Sequence, residues 1–211
     1  MPRQNRVTPR SEPIAVPARG TLLGNRGVLH DAQGRLGRRR WTTWAWVTCL
    51  LEFKGRRRPL MAPGRYTELF FLDEATALAA GHRPCGECRR PDYRRFKALW
   101  LAAAGLAADA PIAALDRLLH AERTRRGAAG ETHRAPLAHL PDGCLVALVG
   151  ADSQEDAWLV LGRHLLRWTP NGYAERRTRP HAGSVAVLTP PTTVRVLAAG
   201  YRPALHASAL G

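Results

Sequence analysis

Lysine is nearly absent from this 211-residue sequence: two residues against 30 arginines. Acidic residues are also few, 17 Asp+Glu against 32 Lys+Arg, so the formal net charge is +15. The choice of Arg over Lys fits codon bias in a GC-rich genome, but the sign of the charge has no such origin. Cysteine is scarce as well (Cys49, Cys85, Cys88, Cys144), which excludes a disulfide-stapled secreted scaffold. No apolar run reaches the roughly 18 residues of a membrane span; the longest candidate, Ala98 to Ala108, is short and Ala-rich. The first ten residues have basic side chains but no apolar stretch after them, so a secretory leader is not expected. There is no glycine-rich phosphate loop, no G-x-S-x-G elbow and no paired catalytic carboxylate motif. These absences lead to the expectation of a cytoplasmic protein without membrane contact.

What is present is enough apolar residue, 45%, for a core of ordinary size. The positive charge is concentrated in residues 1–110, which hold 20 Lys+Arg and nine Asp+Glu. Clusters at Arg38-Arg39-Arg40, Arg56-Arg57-Arg58, Arg89-Arg90 and Arg94-Arg95 are the kind that neutralise phosphates, so nucleic acid, DNA first, is the expected partner. Trp41 and Trp44 follow one of these clusters, where an indole can stack on a base.

Residues 1–20, with four prolines, read as a flexible basic arm. Residues 21–123 read as an α/β module and 124–136 as a polar linker. Residues 137–211 read as a β-rich module of barrel or sandwich type, because short β-prone runs recur there and Asn171-Gly172 is a hairpin signal. The expected class is therefore α+β. The local grammar is clearest from Tyr66 to Trp100. A short strand ends at Leu72, Asp73 is an N-cap, Glu74 to Ala80 is a two-turn helix, and Gly81 stands at the left-handed C-cap position. A turn carrying Cys85-Gly86-Glu87-Cys88 follows, and Pro91 opens a second helix.

A C-x-x-C pair brings two thiolates to one tetrahedral ion, and zinc is the usual occupant. The basic neighbours Arg83, Arg89 and Arg90 favour the thiolate. Two more ligands are needed: Cys49 is the best third, and the fourth is His82, His30 or Cys144. An unmetallated pair, redox-active or inert, is the alternative. A separate helix face carries Asp116, His120 and Arg123 at i, i+4 and i+7 with Glu122 beside them, a spacing that suits a metal-dependent nuclease or related hydrolase. The other reading of that face is ordinary solvated charge pairing.

The run Leu69 to Arg90, LFFLDEATALAAGHRPCGECRR, resembles the second half of the metal-binding domain of Ada-type DNA repair proteins. The likeness lies in Phe70-Phe71, the Ala-rich helix Ala75 to Ala80, and Gly81-His82-Arg83-Pro84-Cys85-Gly86-Glu87-Cys88-Arg89, about a tenth of the chain. It implies a zinc-stabilised α/β module, DNA as partner, and a role in DNA damage response or repair. It also implies a four-cysteine site in which an upstream cysteine accepts a methyl group from a DNA phosphotriester. Here the corresponding stretch, Trp46 to Pro63, holds Cys49 alone, and His82 stands where that family has an aromatic residue. The leading expectation is a zinc-containing DNA-binding protein, with Cys49, Cys85, Cys88 and His82 as ligands. The hydrolase, and a zinc-stapled interaction module, stand beside it.

Overall fold

The computed structural model describes residues 1–55, 59–125, 130–149 and 155–211. It is α+β, built on two six-stranded sheets. The first sheet comes from β1 (Gln4–Val7), β2 (Pro13–Ala15), β3 (Leu22–Asn25), β4 (Val47–Leu50), β5 (Leu69–Phe71) and β6 (Arg83–Pro84), in the order β2-β1-β5-β3-β4-β6. Two of its pairings, β1 with β5 and β4 with β6, are parallel. The second sheet comes from β7 (His133–Pro136), β8 (Leu145–Val149), β9 (Glu155–Leu161), β10 (His164–Thr169), β11 (Gly172–Thr178) and β12 (Ser184–Val187). Its order is β11-β10-β9-β8-β12-β7 and every pairing is antiparallel. The helices are α1 (Glu74–Ala79), α2 (Arg90–Ala103), α3 (Ile112–Thr124) and α4 (Pro191–Ala198). Among the described residues, no helix is long and apolar enough to cross a membrane.

The period-two alternation of the second sheet sends its residues to two different cores. Val146, Trp158, Val160, Val185 and Val187 face Phe96, Trp100, Leu115, Leu119, Val196 and Leu197 of α2, α3 and α4. Leu145, Ala147, Ala157, Leu159 and Ala186 face the other way, onto Ala75 and Ala79 of α1. A third core sits behind α1, where Ala77 and Ala80 meet Val7, Leu69 and Phe71 of the first sheet. Leu78 reaches the first core. Helix α1 thus serves all three cores, and all six of its residues are buried. Three of its six residues are alanines, which let all three cores close around it, and its buried polar residues Glu74 and Thr76 are hydrogen-bonded.

The two polar residues at its start are each satisfied. Asp73 Oδ1 accepts from the Thr76 amide at 2.9 Å and the Thr76 hydroxyl at 2.7 Å, as an N-cap should. Asp73 Oδ2 accepts from Tyr173 Oη at 2.8 Å and from the His206 amide at 3.1 Å. Glu74 accepts from Tyr201 Oη at 2.7 Å, from the Ala204 amide at 2.9 Å and from Arg89 at 2.8 Å. At the other end Gly81 has φ +86°. Its amide donates to Leu78 and the His82 amide to Ala77, the paired bonds of a Schellman cap. A Cβ at Gly81 would also lie 2.8 Å from Arg123 Cδ.

Three expectations change. Residues 1–20 are not a flexible arm, because β1 pairs with both β2 and β5 and Val7 is buried in the third core. The span 124–136 is not wholly linker, because His133–Pro136 forms the edge strand β7 against β12. The C-terminal half is neither barrel nor two-sheet sandwich on its own. Its single sheet is covered by α1, α2 and α3 of the N-terminal half together with its own α4, so the two halves share their cores. The apolar alternation of the strands was legible, but it does not say which element covers each face.

Candidate metal centre

The parallel pairing of β4 with β6 builds the site. Val47 stands beside Arg83 and Thr48 beside Pro84, and the Cys85 amide donates to the Thr48 carbonyl at 2.9 Å. One step further along each strand are Cys49 and Cys85. The chain then turns. The Arg89 amide donates to the Cys85 carbonyl at 3.2 Å and the Glu87 amide to Cys85 Sγ at 3.4 Å, which returns Cys88 to the same spot. The three sulfurs lie within 4.8 Å of one another, and all three residues are half-buried. Gly86 is not in the left-handed region, so the turn does not depend on glycine there.

The thiols perturb one another. The Cys49 thiol, hydrogen-bonded to Cys85, brings Cys85 down to about 5, with the Cys88 and Glu87 amides assisting. The same bond, with burial, pushes Cys49 up. Burial pushes Cys88 up as well. One negative charge is therefore held at Cys85 and shared through two protonated neighbours. An ion entering this group replaces protons. Tetrahedral zinc with Zn–S bonds of about 2.3 Å places its sulfurs about 3.8 Å apart, which falls inside the 4.8 Å limit within which the fold already holds them. Cys49, Cys85 and Cys88 can hold a metal ion.

The thiols lie in the wall of a cleft of about 610 Å³, with Val47, Leu50, Leu51, Phe53, Leu60 and Phe70 around them. Leu51, Leu60 and Phe70 also line a groove of about 650 Å³ that carries Arg3, Arg6 and Arg19. The Arg6 guanidinium sits 4.8 Å from the centre of the Phe70 ring. These three arginines are single residues in a stretch that reads as loose chain. Gln4–Val7 has a single apolar residue, so nothing in the sequence signals the strand that fixes them beside the cleft.

The other expected site residues are placed elsewhere. His82 is not a fourth ligand: it is fully buried, its ring packs against Phe71 at 4.7 Å and Trp46 at 5.2 Å, and Arg26 Nε donates to its Nε2 at 3.2 Å. Burial, followed by the charges of Arg26 and Arg123, holds His82 well below the ordinary histidine range, so it is neutral. It fills a core slot with an aromatic ring. His30 is bound to Thr67 and the Ala62 carbonyl, and Cys144 is buried in the core of the second sheet.

Asp116, His120 and Glu122 do not converge. Both Asp116 oxygens are taken by Arg83, at 2.7 and 2.8 Å in a buried bidentate pair. His120 lies between Trp41 and Trp44, with centroid distances of 4.4 and 5.8 Å, and its Nδ1 contacts Arg123. Glu122 accepts from the Thr192 amide and hydroxyl at the start of α4. Each side chain has a structural partner of its own, and among the described residues the three cysteines are the only group of metal-ligating side chains this close.

Of the arginines expected at nucleic acid, Arg38, Arg39, Arg40, Arg90 and Arg94 are exposed. Arg89 is not available. It is buried, and it bridges Glu74, Asp92 and the Thr48 hydroxyl. Arg56, Arg57 and Arg58 lie outside the described residues. Trp41 and Trp44 are 37% and 53% exposed, directly after Arg38 to Arg40.

No protein-family model matches the chain, and no curated protein or solved structure is significantly similar to it. The chemistry of the site therefore rests on the geometry of the three thiols and on the surface around them.

Proposed function

We propose that this chain is a zinc-binding protein that binds nucleic acid, DNA first, through the basic surface of its N-terminal half, with a role in DNA damage response. The observation that carries the reading is the meeting of Cys49, Cys85 and Cys88 from two separate segments at one point. An all-thiolate set favours zinc among the common divalent ions, since hard cations prefer oxygen. When bound, zinc would keep the thiolates deprotonated and lock β4 to the turn before α2. The resemblance of Leu69 to Arg90 to the Ada-type domain points the same way.

The nucleic-acid half of the reading is supported by charge and placement. Arg3, Arg6 and Arg19 line a groove continuous with the cysteine cleft, and Arg38 to Arg40 lead into two exposed indoles. Cations for phosphates beside rings for bases are what a polynucleotide requires. Among the described residues the hydrolase reading has no remaining cluster to act through, since its three residues are committed to separate partners.

The test has two steps. Elemental analysis of untagged protein should give about one zinc per chain, lost in Cys85→Ser/Cys88→Ser. Wild-type protein should then bind a duplex oligonucleotide with affinity that falls steeply with salt. A chain free of zinc removes the metal half of the reading, and failure to retain DNA at low salt removes the other.

A further inference from the structure

Three thiolates occupy three of the four positions of a tetrahedral ion. Among the described residues, no fourth His, Cys, Asp or Glu joins the group. The thiols instead face a cleft whose wall is mainly apolar. Leu50, Leu51 and Leu60 on that wall are 41%, 50% and 49% exposed. Large apolar side chains left open together beside polar or reactive groups mark a binding site.

We propose that the fourth position of the bound metal is filled from the cleft by an exogenous thiol with an apolar body. This rests on the metal half of the function proposed above and is independent of the nucleic-acid half. Two features select the ligand class. Three sulfur donors make the ion's surroundings soft, so a fourth sulfur is a matched donor where a carboxylate or phosphate oxygen is not. The leucines and Phe70 give an aliphatic or aryl body apolar area to cover, and Glu68 and Glu87 on the same wall disfavour an anionic one. Binding is ligand exchange without redox change. The thiol proton goes to solvent, one sulfur–metal bond forms, and a solvent molecule leaves. A site of this kind differs from a closed structural staple because its last ligand is exchangeable.

Cobalt(II) in place of zinc makes the coordination visible, because sulfur-to-cobalt charge transfer and ligand-field bands report the donor set. Full-length protein loaded with cobalt is titrated with 1-butanethiol and, separately, with 2-mercaptoethanol. The expected result is a saturable gain in the sulfur-to-cobalt band, with butanethiol at least tenfold tighter. Leu51→Ser/Leu60→Ser should weaken butanethiol about tenfold while leaving the thiol-free spectrum and the 2-mercaptoethanol titration unchanged. Bands that neither thiol alters would mean a fourth position closed by the chain, and the inference fails. Equal affinity for the two thiols, or cobalt stripped by them, also overturns it. Failure of the wild-type chain to take up cobalt or zinc overturns this inference together with the metal reading, whereas a loaded but unresponsive site overturns the inference alone.

Discussion

Metal uptake by the three thiols should be tied to pH with a definite stoichiometry. Cys85 is brought down to about 5 by the Cys49 thiol, while Cys49 and Cys88 are raised. At pH 7 the empty site therefore carries one thiolate and two thiols. All three must be thiolates to bind the ion. Binding at neutral pH expels about two protons, so the apparent association constant should rise about 100-fold per pH unit, or about 2.7 kcal/mol. Below about pH 5 Cys85 is also protonated and the dependence should steepen to about three protons. The measurement is competition between the protein and a chromophoric chelator from pH 6 to 8, corrected for the chelator's own protonation. Calorimetry in two buffers of different ionisation enthalpy counts the protons directly. Cys85→Ser should retain a dependence of about two protons at lower affinity, because it removes the group that is already ionised. A wild-type count near three at pH 7 would show that Cys85 is not held as a thiolate. A count near zero would refute the thiol cluster as the binding site.

Other consequences are as direct. Arg83→Ala leaves the buried Asp116 carboxylate unpaired and should cost about 3–5 kcal/mol in a denaturant titration; a stable variant would return Asp116 to the list of functional candidates. Replacing Arg38, Arg39 and Arg40 together with alanine should reduce the slope of log affinity against log salt by up to about three, as read in fluorescence anisotropy; an unchanged slope would place DNA elsewhere. Because His82 is held neutral by burial, the unfolded chain takes up a proton below about pH 6.5 that the folded chain refuses, so stability should fall as pH drops through that value, by up to about 1.4 kcal/mol per pH unit. His82→Phe should lose that part of the slope, which paired urea titrations of zinc-loaded protein at pH 5.5 and 7.5 can measure.

Local chemistry was the legible part of the sequence. Asp73 and Gly81 cap α1 as their residue types require, and the loop at Pro170-Asn171 joins β10 to β11 where the Asn-Gly signal stands. Cys49 was recognisable as a partner for the C-x-x-C pair, though the reason it meets them, parallel pairing of β4 with the two-residue strand β6, was not. A strand of two residues has no periodicity to read. His82 and Arg89 were misplaced for one shared reason. Polar residues beside a motif look like part of its chemistry, and burial against Trp46, Phe71 or Glu74 is set by segments distant in sequence. The same limit hid the Arg83–Asp116 pair, which makes a structural anchor of a spacing that reads as a catalytic face.

Helix α1 imposes an order of events on the growing chain. Its two leading carboxylates find Tyr173, Tyr201 and His206, which lie 100, 127 and 133 residues later in sequence. During synthesis, Asp73 and Glu74 leave the ribosome long before the groups that will hold them exist. The N-terminal sheet can pair and the three thiols can assemble by residue 88, yet the helix between the sheets cannot be sealed until residues 201–206 emerge. Such distant closure slows folding and exposes apolar surface while it waits. Early metal capture would shorten the time for which β4, β6 and α1 stand unsupported. Conversely, damage confined to residues 201–206 would be felt at the cysteines, through Tyr201, Glu74 and Arg89, with no residue of the metal centre altered.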